Sequence, residues 1–104
     1  MTTAPVSLTD QHRVNIVHRE RPAGAIAHAG YTELHYIVEG TGTLVTGGTI
    51  VRDGGAGEPR IDGGVTRQVS PGDVIIVPDG SPHWYSAIGG AITYLEVRWP
   101  APAR

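Results

Sequence analysis

Imidazole nitrogens and carboxylate oxygens are the donors that hold Zn, Fe, Mn, Ni and Cu ions, and this chain spaces such groups at suggestive intervals. His28 stands five residues before Glu33, His35 two residues after it, and His83 far downstream behind the turn Pro78-Asp79-Gly80-Ser81-Pro82. Three or four such groups converging in a dry cavity form a catalytic type of metal site. Spacing does not establish convergence, and any one of these histidines taken singly reads as a satisfied polar residue. Cysteine is absent, which excludes disulfides, thiolate nucleophiles and cysteine-held metals.

The strand that carries two of these groups has a regular pattern. Side chains on a strand alternate between faces, so Glu33, His35, Ile37 and Glu39 share one side and Leu34, Tyr36 and Val38 the other. The Cα atoms of Glu33 and His35 then lie roughly 6–7 Å apart, and one ion at about 2.1 Å from each donor can bridge them. The opposite, apolar side requires a cover, either a second sheet or a partner subunit. Asp73–Val77 is apolar on both faces, which points to burial between protomers and hence to a homodimer.

Fifteen Gly and eight Pro punctuate short apolar runs at close intervals, the pattern of many short strands joined by turns. No stretch carries a helical repeat of useful length. The expected strands are Arg13–His18, Gly24–Ala29, Glu33–Glu39, Gly42–Val51, Val65–Val69, Asp73–Val77, His83–Ile88 and Ala91–Trp99. Residues 1–10 read as an arm, 11–100 as a single all-β domain, a sandwich or a barrel, and 101–104 as a tail. The Gly-rich stretch Asp53–Gly64 reads as a surface hairpin tip or as a lid over the barrel mouth.

Two segments resemble the paired motifs of the cupin superfamily. The first motif runs G-x5-H-x-H-x3-4-E-x6-G, and His28, Glu33 and Gly40 match its second histidine, its glutamate and its closing glycine. The second runs G-x5-P-x-G-x2-H-x3-N, and Gly72, Pro78, Gly80 and His83 keep its spacing. Ile26 stands where the first motif has its first histidine, and Ala87 where the second has its asparagine. The resemblance spans about Pro22 to Trp99. It implies an all-β fold, the cupin-type antiparallel β-barrel (double-stranded β-helix, jelly roll), with one divalent transition metal (Fe, Mn, Zn, Ni or Cu) in its core. With the first histidine missing, His35 is the candidate replacement, giving the ligand set His28, Glu33, His35 and His83. The alternative is three protein ligands with His35 as a pocket residue.

Cupin relatives dioxygenate, isomerise, eliminate or cyclise small oxygenated molecules, so the resemblance implies a metal-dependent enzyme with a small-molecule substrate. The rival readings are a non-enzymatic sensor that grips a small ligand, and a metal-free enzyme using His83 and Tyr85 as acid and base. Tyr85 shares the parity of His83 and is expected to point inward. Ile26, Ile37, Ile76 and Tyr85 are the expected substrate-pocket residues, an apolar set that favours an aromatic or hydrocarbon-bearing substrate over a sugar. No individual catalytic residue follows from the sequence. His12 and His18 read as structural or solvent-facing, Trp84 and Trp99 as packing residues, and Asp73 and Asp79 as turn formers.

The remaining composition is mostly exclusionary. The net charge is −2, and the eight basic residues, all Arg, are scattered from Arg13 to Arg104. That argues against nucleic-acid or anionic-membrane partners. No apolar run reaches the length of a membrane span, and the opening residues lack the pattern of a secretory signal. A cytoplasmic location is the resulting expectation.

Overall fold

A computed structural model of the chain describes residues 1–8, 11–52 and 57–102. Its regular elements are eight strands: β1 (Thr2–Leu8), β2 (Arg13–Arg19), β3 (Tyr31–Thr46), β4 (Thr49–Val51), β5 (Arg60–Asp62), β6 (Val65–Val69), β7 (Val74–Val77) and β8 (His83–Pro100). All pairings between them are antiparallel. No helix among the described residues is long and apolar enough to cross a membrane.

The long strands β3 and β8 form the backbone of the barrel. They pair from Tyr31–Pro100 at one end to Thr46–His83 at the other, with register shifts at Ile37/Glu39, Gly40/Gly42 and Thr43/Leu44. On its other edge β3 pairs with β7 through Glu33–Tyr36 and with β6 through Gly42–Thr46. Beyond β8 lie β2 and then β1, giving the order β1-β2-β8-β3-β6. Register shifts bend a strand and raise its twist, which is how so long a pair curls around a core.

The sequence expectations fail at the glycines. Gly40 and the pair Gly89-Gly90 read as strand breaks, yet β3 and β8 run straight through them as bent single strands. Gly40 adopts φ of 85°, and its missing side chain lets the carbonyl of Ala91 lie against it. Residues 2–8 of the supposed arm are β1, paired along β2. Gly24–Ala29 forms no strand; its ladder contact is one bridge, Ile26 with His83. Part of the Gly-rich loop is ordered as β5, which pairs with β4. Residues 53–56, the centre of the expected lid or hairpin tip, lie outside the described residues, as do 9, 10, 103 and 104.

The core follows the strand alternation. Val17, Ile37, Leu44, Val69, Ile75, Val77, Tyr85, Ile92 and Tyr94 pack together inside the barrel. Ile37, Leu44 and Ile92 are fully buried, each contributing about 1.5–3 kcal/mol of transfer free energy. A smaller cluster of Ala25, Val45 and Ile61, with Ile50 and Trp84 against it, anchors the β4–β5 hairpin. The outer side of β3 and β7 stays bare, with Tyr36, Val38, Val74 and Ile76 between 41% and 57% exposed.

Candidate metal centre

Three separate pieces of chain bring the donors together, and backbone bonds explain how. Glu33 points inward from β3 by the strand alternation, and His83 opens β8. The peptide of Ile26 pairs with that of His83 in both directions, at 2.9 and 3.1 Å, pinning the 26–28 loop beside β8. The turn before His83 is fixed to the same loop, because Gly80 N–H donates to the His28 carbonyl and Gly30 N–H to Asp79 Oδ1. Gly80 sits at φ of 70°, a conformation that costs residues with a Cβ.

The result is a tight set of donors. His28, Glu33 and His83 each offer one ligand atom, all within 4.8 Å of one another. His28 Nδ1 lies 2.6 Å from Glu33 Oε2, and His83 Nε2 lies 3.6 Å from the same oxygen. Glu33 is almost wholly buried. Burial opposes its charge, but the hydrogen bonds from His28 and His35 outweigh that cost and hold its carboxyl well below the usual carboxylate range. Burial lowers the pKa of His83, so its imidazole stays neutral. One carboxylate and two imidazoles, the His83 ring neutral, fit a divalent transition metal, which takes deprotonated ligands and displaces the protons shared between them.

His35 stands apart from this group, although its ring is 5.7 Å from that of His83. Its Nε2 lies 3.1 Å from Glu33 Oε1, and its Nδ1 lies 2.7 Å from the Tyr85 hydroxyl. A carboxylate only accepts, so Nε2 carries the hydrogen and Tyr85 donates to Nδ1. Burial raises the Tyr85 pKa, which keeps that hydroxyl a donor. Both nitrogens of His35 thus have hydrogen-bond partners, one of them the carboxylate of Glu33. Glu33, His35 and Glu96 form a second close set of donors, all buried.

The cavity beside the centre differs from the apolar pocket expected. It measures about 320 Å³, opens to solvent, and is lined by His28, His83, Arg13, Arg19, Glu96 and Arg98 among others. Of the four expected pocket residues, Ile26 alone lines it. Ile37 and Tyr85 lie in the core behind the site. Ile76 points outward, because β7 pairs Val77 with Glu33 and Ile75 with His35, which turns Ile76 to the other face. The lining is mixed: Met1, Pro5, Val17 and Ile26 stand beside the charged and polar residues.

Sequence reasoning missed the residues of β2 and β8 that build this cavity. Asn15 Nδ2 and Arg98 Nε both donate to Glu96 Oε1, at 3.1 and 3.2 Å. Arg19 Nε donates to the Tyr94 hydroxyl at 3.1 Å. The available signal was period two: Arg13, Asn15, Val17 and Arg19 share one side of β2, and Tyr94, Glu96 and Arg98 one side of β8. His18 bonds Thr93 at the sheet surface, away from the site.

An antiparallel β-barrel with histidines and a glutamate gathered where they could hold a metal ion defines the class, a small all-β barrel with a candidate metal site. Residues 14–98 match the Cupin family, and the chain belongs to it. No curated protein matches the sequence. Among solved structures, KdgF from Halomonas sp. is similar at 19% identity and a TM-score of 0.72, over 96% of this chain and 78% of that one. A putative mannose-6-phosphate isomerase from Ralstonia eutropha JMP134 reaches 15% and 0.72, over 96% and 84%. The cupin domain of Schizosaccharomyces pombe Cnp3 reaches 15% and 0.71, over 95% and 64%. These likenesses establish the shared barrel.

Proposed function

We propose that this cupin is an enzyme dependent on one divalent transition metal, held by His28, Glu33 and His83, and that it isomerises, eliminates or cyclises a small oxygenated molecule. The observation that carries the reading is the meeting of those three donors beside an open cavity that His28 and His83 line. A metal bound there supplies Lewis-acid polarisation of a carbonyl or enediol oxygen. Glu96, positioned by Asn15 and Arg98, offers a carboxylate at the cavity wall to take a proton. Tyr94, its pKa raised by burial, offers a hydroxyl that stays protonated and can donate. The putative mannose-6-phosphate isomerase from Ralstonia eutropha JMP134 would carry out the same kind of chemistry.

Dioxygenation is the second reading, favoured by the composition of the donor set, since two histidines and one carboxylate suit Fe(II) oxygenases. The proposal includes a cytoplasmic homodimer, its interface the bare apolar side of β3 and β7. The deciding experiment is elemental analysis of protein purified without chelator or added metal, followed by turnover with and without O2. Stoichiometric metal with O2-independent turnover supports the main reading. O2 consumption supports the second, and a metal-free protein that binds a ligand without turnover supports a sensor.

A further inference from the structure

The cavity carries a charge pattern that the metal does not explain. Arg13 and Arg98 are direct cross-strand partners in the β2–β8 ladder, and both line the cavity. Like charges placed opposite one another destabilise an antiparallel pair. Elsewhere the ladder avoids this: Asn15 faces Glu96, and Val17 faces Tyr94. Arg19 adds a third guanidinium on the same side of β2, and Glu96 is the carboxylate that lines the cavity with them. Glu96 bonds Arg98 through Nε, and Arg98 Nε also lies 3.8 Å from Glu33 Oε1. Arg19 likewise bonds Tyr94 through Nε. These contacts use the inner nitrogen of each guanidinium, and the planar fork of terminal nitrogens is the part that matches a carboxylate or phosphate.

A violated local rule at a cavity wall is the signature of a site built for a ligand rather than for the fold. We propose that Arg13, Arg19 and Arg98 form an anion-binding wall, so that the substrate is a small anion whose carboxylate or phosphate is held by β2 and β8 while its reacting oxygen faces His28 and His83. This deepens the enzyme reading and rests on it for the reaction, but the anion-binding wall itself does not require a metal. The cavity volume, at the low end for small-molecule sites, suits a molecule of sugar-acid size.

The test uses three six-carbon probes that differ at one end: gluconate with a carboxylate, sorbitol 6-phosphate with a phosphate, and sorbitol with neither. Binding is measured by calorimetry on zinc-loaded and on chelator-treated protein, at two salt concentrations. Expected is binding of at least one anion in both forms, weakened by salt, with sorbitol far weaker. The tighter anion names the charged group. Arg98→Gln and Arg19→Gln should each weaken the anion by about tenfold or more, the value of one charge-assisted hydrogen bond. Arg13→Glu, at an exposed position, should do the same and keeps the test open if the other variants unfold. Sorbitol binding as tightly as the anions, no detectable binding of either anion, or arginine variants with unchanged affinity would overturn the proposal. Stoichiometric metal with those results leaves the metal reading standing alone; absent metal with arginine-dependent anion binding leaves the anion wall standing alone.

Discussion

Nε2 of His35 lies 3.1 Å from Oε1 of Glu33, two residues apart on one strand, and this bond turns the other carboxylate oxygen toward His28 and His83. The Tyr85 hydroxyl locks the far side of the same ring. A buried relay thus runs from a tyrosine through a histidine to the carboxylate at the centre. Outer partners of this kind fix ligand orientation and tune affinity.

His35→Ala should therefore weaken metal binding by roughly 10–100-fold without abolishing it. It should also cost about 2–5 kcal/mol of stability, by leaving a cavity and two unpaired polar atoms. Tyr85→Phe should cost about 1–2 kcal/mol and move affinity less. Metal competition titrations and thermal melts check both; complete loss of binding in His35→Ala would instead make it a ligand.

His83→Ala removes a direct donor, so its effect on metal affinity should exceed that of His35→Ala. Bound metal by elemental analysis should drop to background while the barrel remains folded by circular dichroism. Full occupancy in this variant would remove His83 from the centre.

Acid should loosen the metal-free protein through Glu33. Its folded pKa is depressed below the ordinary 4.5, so its charge stabilises the fold above that value. The contribution is lost as the pH falls below about 4.5 and the unfolded chain takes up protons first. Glu33→Gln should flatten this limb of the stability profile in chelator-treated protein. An unchanged acid limb would show that other groups control it.

Much of this was readable from residue order. The pairing of Glu33 and His35 on one side of a strand followed from period two, and β6 has the limits that its turn residues suggested. The all-β class followed from the glycine and proline spacing, and the barrel from the resemblance of the two motifs to those of cupins. Other features were hidden for physical reasons. Glycine marks turns and bulges alike, so Gly40 and Gly90 gave no sign that the strands continue. Which side Ile76 faces depends on the register with β3, a non-local fact. Arg13, Arg19, Glu96 and Arg98 are isolated charges in the sequence, and only the β2–β8 ladder makes them a wall.

The bare side of β3 and β7 gives a prediction about assembly. Ile76→Glu and Val38→Glu place charges where 51% and 50% exposed apolar side chains now stand. If this side is the homodimer interface, sedimentation should show the wild type as dimer and both variants as monomer. A monomeric wild type at high micromolar concentration would end the dimer reading.

Gly40 and Gly80 share a positive φ but differ in surroundings. A Cβ on Gly40 would strike the Ala91 carbonyl and come within 2.9 Å of Ile92 Cα, whereas one on Gly80 meets nothing within 4 Å. Gly80→Ala should cost about 1 kcal/mol, the conformational penalty alone. Gly40→Ala should cost several times more in a thermal melt, since the β3–β8 contact must open. Equal losses would show that backbone conformation dominates both.

The longest strand also sets how the site can change. His83 begins β8 and Arg98 stands near its end, so one hydrogen-bonded ribbon carries both the proposed metal-facing and anion-facing walls. The distance from His83 to Arg98 is a property of that ribbon's curvature, not of loops that can lengthen or drift. A new specificity could then arise by exchanging side chains at alternate positions inside an unchanged frame, like refitting a vessel without altering its hull.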